Sequence, residues 1–205
     1  MKQLLLTSSI FLGLSIPALG ANFYESEDNG PKGTPDDIDQ SLFTTDSGNG
    51  DIQNQSARTV SIHGNLAKHN ANDNHEDWFE FEVEAGTYGF FDVDYGQGGD
   101  NSLNSYLQLV RKEDGKAFFE GTVLASNSDN GGDPGSEEGN WDSAFGYNFT
   151  EAGTYYLAIW TEPEHSGGDY TIHASLSDAP LGTTPAALLG GMLSLLGFTR
   201  LRSRR

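Results

Sequence analysis

The chain has 205 residues, including 12 Phe, 8 Tyr and 3 Trp, which favours one compact domain plus segments that lie outside it. Its 11 Lys and Arg stand against 30 Asp and Glu, so nucleic acid and anionic membrane surfaces are excluded as favourable partners, whereas cations are attracted. The sequence contains no cysteine, so stability outside the cell has to come from core packing, a metal ion or a partner.

Residues 1–21 predict a signal peptide. Lys2 gives a positive start, residues 4–14 form a short apolar run, and small residues permit cleavage near Gly20 or Ala21. The run is too short to span a bilayer. We therefore expect an exported protein that lies at the cell surface, in the outer envelope or outside the cell.

The next segment, residues 22–57, is rich in Asp, Gly, Asn, Ser and Thr and has few apolar anchors. This composition predicts an acidic, flexible linker. Its aspartates are interpreted as a solvated charged surface rather than as metal ligands, and they are Asp36, Asp37, Asp39, Asp46 and Asp51. The folded domain is predicted to span residues 58–178.

Alternating apolar residues predict about eight short strands in this domain, and no stretch has helical periodicity. The predicted strands are 59–63, 78–83, 89–93, 106–110, 123–125, 145–149, 155–160 and 167–176. The pentapeptide Glu-Ala-Gly-Thr-Tyr occurs at 84–88 and again at 151–155, each time after an alternating run, which predicts two equivalent β-hairpins. The expected fold is all-β, an antiparallel β-sandwich.

Five short segments occur in an order that resembles the bacterial pre-peptidase C-terminal (PPC) domain, in its stand-alone secreted form. They are Asp77–Phe81, Leu103–Leu107, Leu124–Asp129, Ala152–Tyr156 and Gly168–Thr171. The resemblance implies a jelly-roll-like sandwich that is usually non-catalytic, occurs on secreted and surface proteins, and in some members binds calcium. The chain departs from the family at Asn104 and Ser128, where many members have Asp, and in a longer loop at 130–140.

Residues 179–205 resemble the tripartite sorting tails of bacterial exosortase substrates, the PEP-CTERM type. An apolar segment at 186–198 precedes a basic end. Basic residues that follow an apolar segment are retained on the cytoplasmic side of a membrane. The Pro-Glu-Pro motif is absent, and only Pro180 and Pro185 lie in this region. The resemblance implies a transmembrane helix or transient anchor that contacts the membrane and is recognised by a sorting protease.

The acidic, glycine-rich loop that precedes the second predicted hairpin is a candidate calcium site. Calcium takes six to eight oxygen ligands in flexible geometry, although the spacing here does not match an EF-hand. The candidate ligands are Asp129, Asp133, Glu137 and Asp142, joined by Asp77 from the loop before the first hairpin. A solvated acidic loop without an ion is the alternative interpretation, and the sequence leaves both open.

Catalytic and zinc sites have little support in the sequence. His63, His69 and His75 form no His-x-x-x-His pair, and there is no cysteine to complete a zinc site. The chain also lacks a Gly-x-Ser-x-Gly nucleophile elbow. We therefore expect no enzymatic activity.

Aromatic side chains that stack on sugars are the remaining candidates for ligand contact. Trp78 and Trp160 lie within strand patterns, so Trp141, between a loop and a strand, is the predicted contact. We expect a non-catalytic surface or extracellular-matrix module that binds an extracellular polysaccharide or a surface protein and uses calcium for stability. The alternative is a secreted carbohydrate-binding protein or small hydrolase.

Overall fold

The structure is a computed structural model, and it describes residues 20–26, 30, 33–66, 76–95, 103–128, 142–161 and 167–178. These residues form 11 strands and two short 3-10 helices. The strands are β1 (Ala21–Tyr24), β2 (Asp36–Asp37), β3 (Thr44–Thr45), β4 (Arg58–Leu66), β5 (Glu76–Val83), β6 (Tyr88–Tyr95), β7 (Ser105–Arg111), β8 (Thr122–Asn127), β9 (Ala144–Asn148), β10 (Gly153–Thr161) and β11 (Gly168–Ser177). The 3-10 helices are η1 (Gln40–Leu42) and η2 (Phe118–Glu120).

The strands form two sheets that pack face to face. Sheet A has the order β1-β4-β11-β6-β9, with β3 also paired to β4, and sheet B has the order β2-β5-β10-β7-β8. The β1–β4 and β2–β5 pairs at the sheet edges are parallel, and the other pairs are antiparallel. The predicted all-β sandwich is confirmed, and the eight predicted strands correspond to β4–β11.

The two Glu-Ala-Gly-Thr segments are corners between the sheets, so the prediction of two hairpins is wrong. The first connects β5 in sheet B to β6 in sheet A, and the second connects β9 in sheet A to β10 in sheet B. The segments are nevertheless equivalent, since β5 pairs with β10 and β6 pairs with β9. Alternation in a sequence shows which face of a strand is buried, but it does not identify the neighbouring strand.

The first corner depends on a glycine and is fastened to the end of β9. Gly86 has φ of 88°, a conformation that glycine adopts without the clash of a Cβ atom. Its backbone N–H donates to the carbonyl of Phe149 at 2.7 Å, and the Phe149 N–H donates to the carbonyl of Thr87 at 2.8 Å. Phe149 thereby links this corner to the β9 side of the second one.

The core lies between the sheets and is filled by inward-facing aliphatic and aromatic side chains of β4–β11. Its largest fully buried members are Phe79, Phe91, Phe149, Tyr170, Ile38, Ile62, Leu66, Leu107, Leu109, Leu157, Ile159 and Ile172. Ile38 precedes η1, so the segment before β4 also contributes to this core.

The described residues of the segment 22–57 contribute to the sandwich, which corrects the prediction of a flexible linker and of a fold that begins at Arg58. This segment supplies most of β1 and all of β2 and β3, and it buries Ile38, Phe43 and Ile52. Single apolar residues between polar turns give a weak sequence pattern. Each one nevertheless contributes about 1.5–3 kcal/mol when its side chain is fully buried.

Both ends of the chain lie outside the described residues. The apolar part of the predicted signal peptide falls within 1–19, and the predicted sorting tail is 179–205. Among the residues that the structure describes, no helix has the length and apolar character required to cross a bilayer. Export and sorting therefore stay predictions.

Candidate functional site

One end of the sandwich is lined by polar side chains at positions where the apolar core would otherwise continue. We call this region the polar end. It consists of Asn104, Ser105, Asn127, Asp142, Ser143 and Thr161. Asn127 is partly buried, and the other five are buried. Polar groups are costly to bury unless they are hydrogen-bonded or bind an ion, so this layer needs a chemical reason.

A pair of serines closes the polar end between the two sheets. The Ser143 backbone N–H donates to Ser105 Oγ at 3.1 Å, and the Ser105 hydroxyl donates to Ser143 Oγ at 3.0 Å. The Ser143 hydroxyl in turn donates to the carbonyl of Ser105. Because Asn104 and Asp142 directly precede these serines, the links hold both side chains at the same end of the sandwich.

Three buried oxygens of the polar end find no hydrogen-bond donor in the part of the chain that the structure describes. They are Asn104 Oδ1, Asn127 Oδ1 and Thr161 Oγ1. Leaving one such group unpaired costs about 1–3 kcal/mol. Amide and carboxylate oxygens are ligands that calcium accepts, and Asp142, only 1% exposed, supplies the carboxylate. The polar end thus carries the types of oxygen ligand that a hard cation accepts.

The structure describes two of the sequence-predicted calcium ligands, and they belong to different sheets. Asp142 is in the polar end and precedes β9 of sheet A, whereas Asp77 lies on β5 of sheet B and accepts a hydrogen bond from the Tyr170 hydroxyl at 2.8 Å. The other candidates, Asp129, Asp133, Glu137 and the tryptophan Trp141, lie outside the described residues.

Tyr170 is held between two carboxylates. Its hydroxyl lies 3.2 Å from Glu25 Oε2, in addition to the bond with Asp77. Burial raises the pKa of Tyr170 well above 10.0, and the negative charges of Asp77 and Glu25 raise the pKa further. Asp77 therefore has a structural role in joining β5 to β11.

A second cluster of polar residues lies on the outer face of sheet A. We call it the outer-face cluster, and it consists of Asp51, Ser61, Asp94 and His173. His173 Nε2 lies 3.1 Å from Asp94 Oδ2, and His173 Nδ1 lies 2.9 Å from Ser61 Oγ. Asp51, Asp94 and His173 each place one ligand atom within 4.8 Å of the others, and in the described residues no other three acidic or histidine side chains do so.

Sequence reasoning missed this cluster. His173 falls inside a predicted strand, Asp94 directly follows the predicted strand 89–93, and Asp51 is interpreted as part of a solvated acidic segment. The register of β11 against β6 and β4 brings the residues together, since His173 lies opposite Asp92 on one side and Ser61 on the other. The available signal was a histidine on one strand and outward-facing aspartates on the neighbouring strand. This signal can be recognised only when it is known which strands pair.

His63 lies on the same face and fastens β1 to the sheet. Its Nδ1 is 3.0 Å from Thr171 Oγ1, and its Nε2 is 2.9 Å from Asn22 Oδ1. Burial lowers the pKa of His63, and the nearby His173 lowers it further. The neutral imidazole is thus the favoured form at this position.

The Ser61–His173–Asp94 arrangement contains the residue types of a catalytic triad, but it does not have the properties of one. The serine contacts Nδ1 and the aspartate contacts Nε2, opposite to the usual assignment. None of the three is more than 7% exposed, so a substrate cannot reach the hydroxyl. This geometry gives a hydrolase no support.

The described tryptophans pack against other aromatic side chains. Trp78 is buried, donates from Nε1 to Glu76 Oε2 at 3.0 Å, and packs against Phe118 at 5.0 Å between ring centroids. Trp160 is partly buried and stacks on Tyr106 with a centroid distance of 4.3 Å, so one face of its ring is occupied.

No protein-family model matches the sequence, and no curated protein is significantly similar to it. Several solved structures are similar to this chain at low sequence identity. The periplasmic inhibitor of g-type lysozyme PliG from Aeromonas hydrophila is 9% identical with a TM-score of 0.42, and the match covers 77% of this chain and 100% of the inhibitor.

Two further solved structures are similar to this chain at low sequence identity. The pre-peptidase C-terminal domain of Bacillus anthracis collagenase is 19% identical with a TM-score of 0.35, and the match covers 57% of this chain and 87% of that domain. CorA, a surface-associated copper-binding protein of Methylomicrobium album BG8, is 9% identical with a TM-score of 0.38 and coverages of 77% and 100%. Function has to be argued from this chain's own side chains.

Proposed function

We propose that this protein is an exported, non-catalytic module of the cell surface or extracellular matrix, stabilised by calcium at the polar end. The observation that carries the proposal is the pair of buried amide oxygens, Asn104 Oδ1 and Asn127 Oδ1, that have no donor among the described residues and lie at the same end of the sandwich as the buried carboxylate of Asp142. Calcium takes six to eight oxygen ligands, and amide and carboxylate oxygens are among the ligands it accepts.

The remaining ligands would come from the acidic loop that enters and leaves the polar end. This loop follows β8 and precedes β9, and it carries Asp129, Asp133 and Glu137. When bound, calcium would neutralise part of the formal net charge of −19 and fasten the loop to both sheets. An ion that binds only the folded state stabilises it by about 2.7 kcal/mol at a concentration one hundred times its Kd.

Calcium titration by isothermal calorimetry tests the site. The wild-type chain is expected to bind calcium, and Asp142→Asn is expected to weaken binding at least tenfold, on the order of 1.4 kcal/mol. Asp114→Asn is the matched control, because Asp114 is exposed in the turn between β7 and η2. Asn104→Ala is a second variant that removes an oxygen ligand without changing charge, and it should also weaken binding.

Two results would contradict the calcium site. One is a wild-type chain that does not bind calcium at millimolar concentration. The other is equal affinity in the wild-type chain, in Asp142→Asn and in Asn104→Ala, which would move the ion away from the polar end.

The proposed partner is an extracellular polysaccharide or a surface protein, with Trp141 as the contact next to the calcium loop. Trp141 directly precedes Asp142, so an ion bound by Asp142 would lie close to the tryptophan in the chain. Co-sedimentation with extracellular polysaccharide is expected to decrease in Trp141→Ala. Trp160→Ala is the control, because the Trp160 ring already stacks on Tyr106. Equal loss in both variants would contradict a specific role of Trp141.

A further inference from the structure

The outer-face cluster joins two parts of the chain that are distant in sequence. Asp94 and His173 project from the neighbouring strands β6 and β11, whereas Asp51 comes from the segment that connects β3 to β4. Asp94 and His173 are buried, and Asp51 is exposed. One ligand atom of each residue lies within 4.8 Å of the other two.

The distances suit a small metal ion. Two ligands that bind a tetrahedral ion at about 2.0–2.1 Å lie about 3.4 Å apart. His173 Nε2 and Asp94 Oδ2 are 3.1 Å apart, which is close to the separation of two ligand atoms on one such ion. The carboxylate of Asp51 would need to move by about 1–2 Å at most to reach such a separation, and an exposed side chain can do so.

The orientation of the imidazole is also fixed. Ser61 Oγ lies 2.9 Å from His173 Nδ1, and both side chains are buried. When Nε2 binds a metal ion, Nδ1 carries the proton and donates a hydrogen bond to Ser61 Oγ. A partner on the second ring nitrogen is characteristic of metal-binding histidines, because it selects the tautomer and holds the ring in position.

We propose that Asp51, Asp94 and His173 form a site for a divalent transition-metal ion of the zinc class, which fastens the segment before β4 onto sheet A. One imidazole and two carboxylates are ligands that zinc accepts, whereas the polar end offers only the oxygen ligands that suit calcium. The carboxylate of Asp92, opposite His173, adds negative charge on the same face. The exposed side of Asp51 leaves a coordination position for water or for a ligand from a partner.

Zinc titration into the full chain, with calcium already in excess, tests this site. The wild-type chain is expected to bind zinc, and Asp51→Asn is expected to weaken binding at least about tenfold, as the loss of a metal-site residue does. Because Asp51 is exposed, this variant should keep the fold. Ser61→Ala should also weaken zinc binding about tenfold through the orientation of His173. Asp114→Asn is the control and should bind as the wild type does.

Hydrogen exchange provides a readout that a binding assay does not. Zinc is expected to slow amide exchange in residues 46–56 of the wild-type chain, and not in Asp51→Asn, because the ion would connect this segment to β6 and β11. Unchanged zinc affinity in Asp51→Asn would overturn the proposal and assign the ion to another histidine, such as His69, His75 or His165. Unchanged exchange in 46–56 at saturating zinc would also overturn it. The calcium site is independent of either result.

Discussion

Replacing Phe149 by Ala tests the position of this residue between the two sheets, next to the corners that the hairpin prediction did not include. The ring of Phe149 is fully buried and contacts aromatic rings from four strands across both sheets. The ring centroids lie 4.7 Å from Tyr155, 5.0 Å from Tyr147, and 6.4 Å from both Phe81 and Phe91. Removing a buried phenylalanine ring costs about 3–5 kcal/mol, because the neighbouring side chains fill the cavity only in part.

The assay is thermal and urea unfolding of the Phe149→Ala variant against the wild type. At about 2–4 °C per kcal/mol for a domain of this size, the midpoint should fall by about 6–20 °C. Phe119→Ala is the matched control, since Phe119 lies in η2 and is 52% exposed, and it should change the unfolding free energy by about 0.5 kcal/mol at most. Equal effects of the two variants would refute the position of Phe149 between the sheets.

Three further variants test the polar end and the titrating groups. Asn104→Asp should raise calcium affinity in calorimetry and lower the melting temperature in chelator, because it buries a carboxylate beside Asp142. Tyr170→Phe should cost about 1–3 kcal/mol in urea unfolding at pH 7. Because the pKa of Tyr170 in the folded state is raised above 10.0, the stability that its hydroxyl contributes is present below pH 10 and is lost as the pH rises further. The Tyr170→Phe variant should therefore lose less stability than the wild type at high pH. The pKa of His63 is lowered from 6.5, so the stability that the neutral imidazole contributes is present above pH 6.5 and lost as the pH falls below it. The His63→Gln variant should therefore lose less stability than the wild type between pH 7 and 5. An unchanged pH profile in either of the last two variants would contradict its assignment.

The strands were predictable where one face is buried in the core and the other carries polar residues. In β5, Phe79, Phe81 and Val83 face the core, and Glu80 and Glu82 alternate with them in the sequence. The corners were not predictable, because a four-residue polar step between alternating runs serves a hairpin or a change of sheet equally well. The choice is made by pairing between β5 and β10 and between β6 and β9, which are distant in sequence.

The candidate sites differ in how far their residues could be predicted from the sequence. Asp142 was predicted because acidic residues on a glycine-rich loop are typical of calcium ligands. Asn127 belongs to the same oxygen-rich stretch of sequence, whereas Asn104 does not. The burial of both amide oxygens without a donor among the described residues depends on the fold and has no sequence pattern. His173 and Ser61 are 112 residues apart and meet only through the pairing of β11 with β4.

Thermal unfolding of the full chain in excess calcium and then in chelator tests the central claim most directly. We expect a higher midpoint with calcium, and we expect the shift to be lost in Asp142→Asn and kept in Asp114→Asn. Unfolding curves of the wild-type chain that superimpose in calcium and in chelator would contradict a calcium-stabilised module.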